Sequence, residues 1–158
     1  MANVRAVKKA VKVKKAGPRL AIVAADFHEA LTLDMLASAN AEAGAFGARV
    51  TETVRVSGCY EAPLMADRLL AHRRIDAVIV LGCIERGETL HGEVMGHVVH
   101  RALVEASLRH DKPVGLGIIG PGATPEQAEA RKNSSARAAV RAVMRSLAAA
   151  TTGDGGKR

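Results

Sequence analysis

Aromatic side chains are scarce. Tryptophan is absent, and Phe27, Phe46 and Tyr60 are the only phenyl or phenol rings, so any stacking platform has three candidates. Cysteine is as sparse: Cys59 and Cys83 cannot build a disulfide framework and suit a reducing compartment. No apolar run approaches the roughly 20 residues a membrane-spanning helix needs. A basic amino terminus with no apolar stretch behind it predicts no signal peptide, and a cytoplasmic protein is the expectation. Acid is missing from residues 1–19, which hold seven of the 23 bases: Arg5, Lys8, Lys9, Lys12, Lys14, Lys15 and Arg19. The other 16 bases match the 16 acids, so the formal charge of +7 belongs to that segment alone.

What is present is an ordinary globular composition. With 158 residues, 48% apolar and 25% charged, the chain is long enough to bury a core, and disorder is excluded for its body. Residues 1–18 form a basic arm in which Val11 and Val13 alternate with lysines. Three readings stand side by side: a disordered arm, a nucleic-acid-binding arm, and a strand added to a neighbour's sheet edge. Any nucleic-acid contact falls to this arm. Residues 19–150 are the folded domain, and 151–158 are a polar, glycine-rich tail.

Between arm and tail, strand and helix patterns alternate. Leu20–Ala24, Asp76–Leu81 and Val114–Ile119 are short continuous apolar runs, and Arg49–Val56 alternates with β-branched residues. Helical spacing marks Leu31 to about Gly44, Pro63–Ala71 and Glu93–His110, the last with Val94, His97, Val98, Ala102 and Leu108 near one face. The final helix opens on Thr124, Pro125 and Gln127 as cap, first position and capping-box partner, and is expected to run to about Ala149. Four strand–helix units with continuously apolar strands predict a single-domain α/β three-layer sandwich around a four-stranded parallel sheet, flavodoxin-like in outline.

In such folds ligands bind at the carboxyl ends of the strands. Four segments occupy that edge: 25–28, 57–63, 82–91 and 120–124. They carry Phe27 and Tyr60, both cysteines, Glu61, and the histidines His28 and His91. Glycines there permit close approach of backbone to a phosphate or a ring.

Gly82-Cys-Ile-Glu-Arg-Gly-Glu-Thr-Leu-His91 resembles the Gly-x-x-x-x-Gly-x-Thr-x-His segment of the 6,7-dimethyl-8-ribityllumazine synthase family. Val56-Ser-Gly-Cys-Tyr-Glu-Ala-Pro63 is similar to that family's Val-Pro-Gly-Ala-aromatic-Glu-x-Pro, and Ala25-Asp-Phe27 to its Phe-bearing first strand. The stretch 113–122, with Gln127, Ala128 and Arg131 after it, resembles the archaeal branch most. The resemblance spans roughly residues 19–148.

It implies a cofactor-free condensation in riboflavin biosynthesis. The amine of 5-amino-6-(D-ribitylamino)uracil attacks the ketone of 3,4-dihydroxy-2-butanone 4-phosphate, phosphate leaves, the ring closes and water is lost. By the same resemblance Phe27 stacks on the pyrimidinedione, Tyr60 and Glu61 take the ribityl chain, and Cys59, Cys83, Ile84 and Glu85 line the substrate site. Gly87, Glu88 and Thr89 cradle phosphate with Arg131, and Leu116 packs against the ring. Arg131 and Leu116 come from a neighbouring subunit in a homopentamer, or in a 60-subunit icosahedral shell. His91 is the expected proton carrier, since an imidazole both donates and accepts near neutral pH.

The chain departs from the family pattern at several points. Ser57 replaces a proline, Leu116 an aromatic, Gly92 to Val94 an aromatic-Asp-aromatic run, and Ala139 a lysine of bacterial members. Lys132 and Arg137 are the bases near enough in sequence to replace that charge, and the choice between them is open. His91, His97 and His100 lack a carboxylate or thiol at metal-ligand spacing, so no metal is expected. Without an adjacent base, Cys59 and Cys83 read as small buried thiols rather than nucleophiles. The alternatives are an archaeal-type riboflavin synthase and a non-catalytic oligomer that binds flavin or nucleic acid. The Gly87–His91 segment favours the phosphate-using enzyme over the riboflavin synthase, and the non-catalytic reading stays open.

Overall fold

The computed structural model describes residues 16–152. Most of the basic arm and the end of the polar tail therefore lie outside the described residues. Four strands and four helices alternate: β1 (Arg19–Ala25), α1 (Glu29–Ala45), β2 (Arg49–Val56), α2 (Ala62–Ala71), β3 (Ala77–Glu85), α3 (His91–His110), β4 (Val114–Ala123) and α4 (Pro125–Thr152). A single 3₁₀ turn, Cys59–Glu61, precedes α2. All strands are parallel, in the order β2-β1-β3-β4.

The continuous apolar strands follow from cover on both faces. Along β1, Leu20, Ile22 and Ala24 pack with Met35, Ala39 and Ala43 of α1 and Ala136, Val140 and Val143 of α4. The alternate residues Ala21, Val23 and Ala25 pack with Ala66, Leu69 and Leu70 of α2 and Val99, Leu103 and Ala106 of α3. The result is the three-layer α/β sandwich expected. Gly115 and Gly117 on β4 let α4 lie close. A Cβ at Gly115 would stand 2.7 Å from the Ala139 carbonyl, and one at Gly117 2.6 Å from Leu81 Cδ2.

Three details differ from the sequence pattern. Segments 82–85 and 120–123, expected as loops, are the ends of β3 and β4. Their ladder continues through a register shift to the Glu85–Ala123 pair, because the partner strand supplies the hydrogen bonds that glycine-rich sequence would not specify locally. On α3 the buried face is Gly96, Val99, Leu103 and Ala106, while Val94, His97, Val98 and Leu108 face outward. This helix has apolar residues on two sides, and Gly96 decides which side docks: its Cα faces Pro121 so closely that a Cβ would stand 2.6 Å from the ring. Finally, α4 runs to Thr152, two residues into the expected tail. Its capping box forms as read, with Gln127 N–H donating to Thr124 Oγ1 at 3.2 Å and Thr124 N–H to Gln127 Oε1 at 3.1 Å.

Candidate functional site

The carboxyl ends of β1, β2 and β3 enclose a cavity of about 460 Å³. Past the end of the β1–β2 ladder, Asp26 N–H donates to the Val56 carbonyl at 2.7 Å and Phe27 N–H to the Ser57 carbonyl at 3.0 Å. These bonds hold Phe27 at the rim, its ring half-exposed. The chain then turns into α1 through His28, whose backbone is left-handed at φ 63°.

Beyond β2, the 3₁₀ turn sets Cys59 inward and leaves Tyr60 outward, buried and exposed respectively. Glu61 Oε2 accepts the Gly58 N–H at 2.9 Å. One carboxylate oxygen thus braces the turn, while a carboxylate retains capacity for further donors. Cys59 Sγ points to the Cys83 carbonyl at 3.8 Å. Gly82 is required beside it, since a Cβ there would meet Cys59 Sγ at 2.6 Å. Burial, with Cys83 adding to it, pushes the Cys59 thiol up to about 12; burial also raises Cys83. Neither is a ready thiolate.

Cys83, Ile84 and Glu85 at the end of β3 form the floor. Gly87, Glu88 and Thr89 lead from there into α3, which begins at His91. His91 N–H donates to Thr89 Oγ1 at 3.4 Å. Glycine at 92 lets the helix start press on β3, where a Cβ would lie 2.9 Å from the Glu85 carbonyl. The loop thus brings the amino terminus of α3 to the cavity, a setting that favours an anion.

Phe27, Cys59, Tyr60, Glu61, Cys83, Ile84, Glu85, Gly87, Thr89 and His91 all line this one cavity. Glu88 lines a second hollow that shares Glu85, Gly87 and Thr89 with the first. Leu116 and Arg131 are not brought there: Leu116 lies partly exposed on β4 and Arg131 exposed on α4. Ser57, Gly58, Gly92 and Met95 complete the lining. Met95 went unread, although its place one helical turn after His91 is the signal that would have marked it.

Lys132 is taken up by Asp34 and Glu129, whereas Arg137 is exposed. Ala139 is core, set against Gly115 and Gly117, so a lysine there would have to be buried. His97 sits 3.9 Å from Glu93 and His100 bonds the Gly96 carbonyl of its own helix. Among the described residues, no three His, Cys, Asp or Glu gather as metal ligands would, and no helix is long and apolar enough to cross a membrane.

Comparison with known proteins places the chain in a family. The family profile of 6,7-dimethyl-8-ribityllumazine synthase matches residues 17–151. The chain is 39% identical over 127 residues to the 6,7-dimethyl-8-ribityllumazine synthase of Pyrobaculum arsenaticum, covering 80% of this chain and 85% of that one. It is 41% identical to the enzyme of Methanococcus aeolicus over 125 residues, 79% and 92% of the two chains. With that of Aeropyrum pernix it shares 41% over 128 residues, 80% and 87%.

Proposed function

The chain belongs to the 6,7-dimethyl-8-ribityllumazine synthase family, and on that premise we propose how the cavity at the ends of β1, β2 and β3 carries out the condensation. The enzyme joins 5-amino-6-(D-ribitylamino)uracil and 3,4-dihydroxy-2-butanone 4-phosphate into 6,7-dimethyl-8-ribityllumazine. The observation that carries the site assignment is that Phe27, Glu61, Thr89 and His91, from three separate segments, line one cavity.

The pyrimidinedione stacks on Phe27, whose half-exposed face gives an aromatic ligand a platform. Ile84 closes the apolar side with Cys59 and Cys83, both protonated and inert. Ribityl hydroxyls donate to Glu61 and meet Tyr60, and Glu85 bounds the same space. The phosphate sits against the backbone N–H groups of Gly87, Glu88 and Thr89 at the start of α3. His91 stands where that loop becomes helix. It accepts the proton released when the amine adds to the ketone and returns one to the departing hydroxyl, so that imine formation, phosphate loss and ring closure follow in one enclosure.

Arg131 and Leu116 enter the site from a neighbouring copy. Exposed Leu90, Val94, Val98 and Leu108 on and beside α3 support such an assembly, because a monomer rarely leaves so apolar a helix face open. We assign a homopentamer, with twelve pentamers in a shell as its larger form. The two free thiols fit a reducing cytoplasm.

Soaking crystals with a non-reactive ribitylated pyrimidinedione and inorganic phosphate tests the assignment. The ring is expected on Phe27 and the phosphate at 87–89; a ligand bound elsewhere would remove this cavity from the reaction.

A further inference from the structure

We infer that His28 is a positioning residue of this site, its imidazole holding the Phe27 ring and the Glu85 carboxylate in place from behind the cavity wall. The inference rests on the proposed function and deepens it, since Phe27 and Glu85 line the cavity and His28 does not.

The first observation is conformational. His28 adopts φ 63° and ψ 53° at the junction of β1 and α1, a left-handed conformation that a non-glycine residue adopts at a cost. Helix capping does not account for it, because the His28 side chain makes no cap hydrogen bond to α1. The strained backbone instead turns the imidazole toward the end of β3.

There it makes two contacts at once. Nε2 lies 3.0 Å from Glu85 Oε2, and the ring meets Phe27 edge-on, with centroids 4.6 Å apart and planes at 68°. The last β1–β3 ladder pair is Ala24–Leu81. Beyond it the two strand ends diverge, and His28–Glu85 is a side-chain bridge across the gap. Phe27 is held by its backbone at Ser57, which leaves the ring free to rotate; the His28 edge contact limits that rotation. Glu85 lies between the cavity and a second cleft lined by His28, Glu29, Thr124 and Glu129, and the imidazole decides on which side its carboxylate rests.

An exposed ion pair alone is worth little, and with side chains 36% and 41% exposed this one is no stability device. Its effect falls on orientation. A misoriented platform weakens binding of the aromatic substrate while leaving the phosphate loop in place, because the His28 side chain bonds Glu85 and not 87–89.

The test is His28→Asn. Asparagine tolerates the left-handed backbone, so the turn survives, but its short amide brings no ring to Phe27. The variant is compared with wild type for each substrate separately, and by titration with 6,7-dimethyl-8-ribityllumazine followed through that ligand's own fluorescence. The expected result is a KM for the pyrimidinedione amine, and a Kd for the lumazine, raised about five- to tenfold. The KM for the phosphate substrate and kcat stay within about twofold. Unchanged amine KM and lumazine Kd would overturn the inference, as would equal losses for both substrates with a lowered Tm, the mark of a merely structural residue. A wild type that binds lumazine yet makes none would refute the condensation while the Kd ratio still judges His28. A wild type that binds no lumazine refutes both.

Discussion

The Phe27 amide donates to the Ser57 carbonyl at 3.0 Å, beyond the point where β1 and β2 end as paired strands. This bond fastens the ring-bearing end of β1 to the turn that carries Tyr60 and Glu61. Two walls of the cavity are thereby tied together, and the third, from β3 to the start of α3, joins them through the β1–β3 ladder and the His28–Glu85 bridge. The third wall carries His91 and the 87–89 loop.

Replacing His91 by alanine separates chemistry from binding. We expect kcat to fall about 10²- to 10⁴-fold, the usual worth of a placed acid–base group, with lumazine affinity within a few-fold. Single-turnover rates and ligand titration on the same preparation check this. Equal losses in both would make His91 a binding group only.

Arg131 provides a test of shared pockets. Arg131→Ala is expected to raise the KM for the phosphate substrate about tenfold or more, as loss of a charged bidentate partner does. Co-expression of His91→Ala with Arg131→Ala chains should then recover part of the activity, because some neighbouring pairs join an intact His91 to an intact Arg131. If both residues served the site of their own chain, every site in the mixture would carry a defect and no activity would return.

The buried thiol makes a chemical prediction. With Cys59 pushed up to about 12, its thiolate fraction near neutral pH is on the order of a thousandfold below that of a free cysteine. Iodoacetamide at pH 7.5, followed by mass spectrometry, should leave Cys59 unmodified in the native protein and alkylate it in urea. Rapid native labelling would place a reactive nucleophile in the cavity.

Stability should depend on acid through Asp76. Burial alone would raise this carboxyl, but hydrogen bonds from Arg19 outweigh it and hold the group below the usual range. The bonds run from Arg19 N–H at 2.7 Å, Nη2 at 3.0 Å and Nε at 3.2 Å. A carboxyl depressed in the folded state contributes its stability in full above the ordinary aspartate range near 4, and loses it as pH falls through the lower folded value. Urea unfolding should show Asp76→Asn less stable than wild type at pH 7, with the gap closing by about pH 2. A gap that persists in acid would assign the effect to packing instead.

How far the sequence foretells this molecule depends on whether a feature is local. The strands are legible in runs such as Leu20–Ala24, because cover on both faces demands apolar residues at every position. The capping box at Thr124 and Gln127 is legible for the same local reason. The ends of β3 and β4 are not, since glycines at 82, 120 and 122 look like turns until the neighbouring strand is present to pair with them. The docked face of α3 depends on Gly96 meeting Pro121, a contact between residues far apart in the chain. Ten of the expected site residues share the main cavity because motif order maps onto strand ends in a parallel sheet. The His28–Glu85 bridge has no motif, and Arg131 and Leu116, expected at the site, lie outside the cavity of their own chain.

The central claim is that this cavity speeds the union of a heterocyclic amine with a sugar phosphate. Initial rates of lumazine absorbance, measured with both reactants and the purified protein against buffer alone, decide it. The account predicts a rate that scales with protein concentration and collapses in the His91→Ala protein. A rate equal to that of buffer would contradict it.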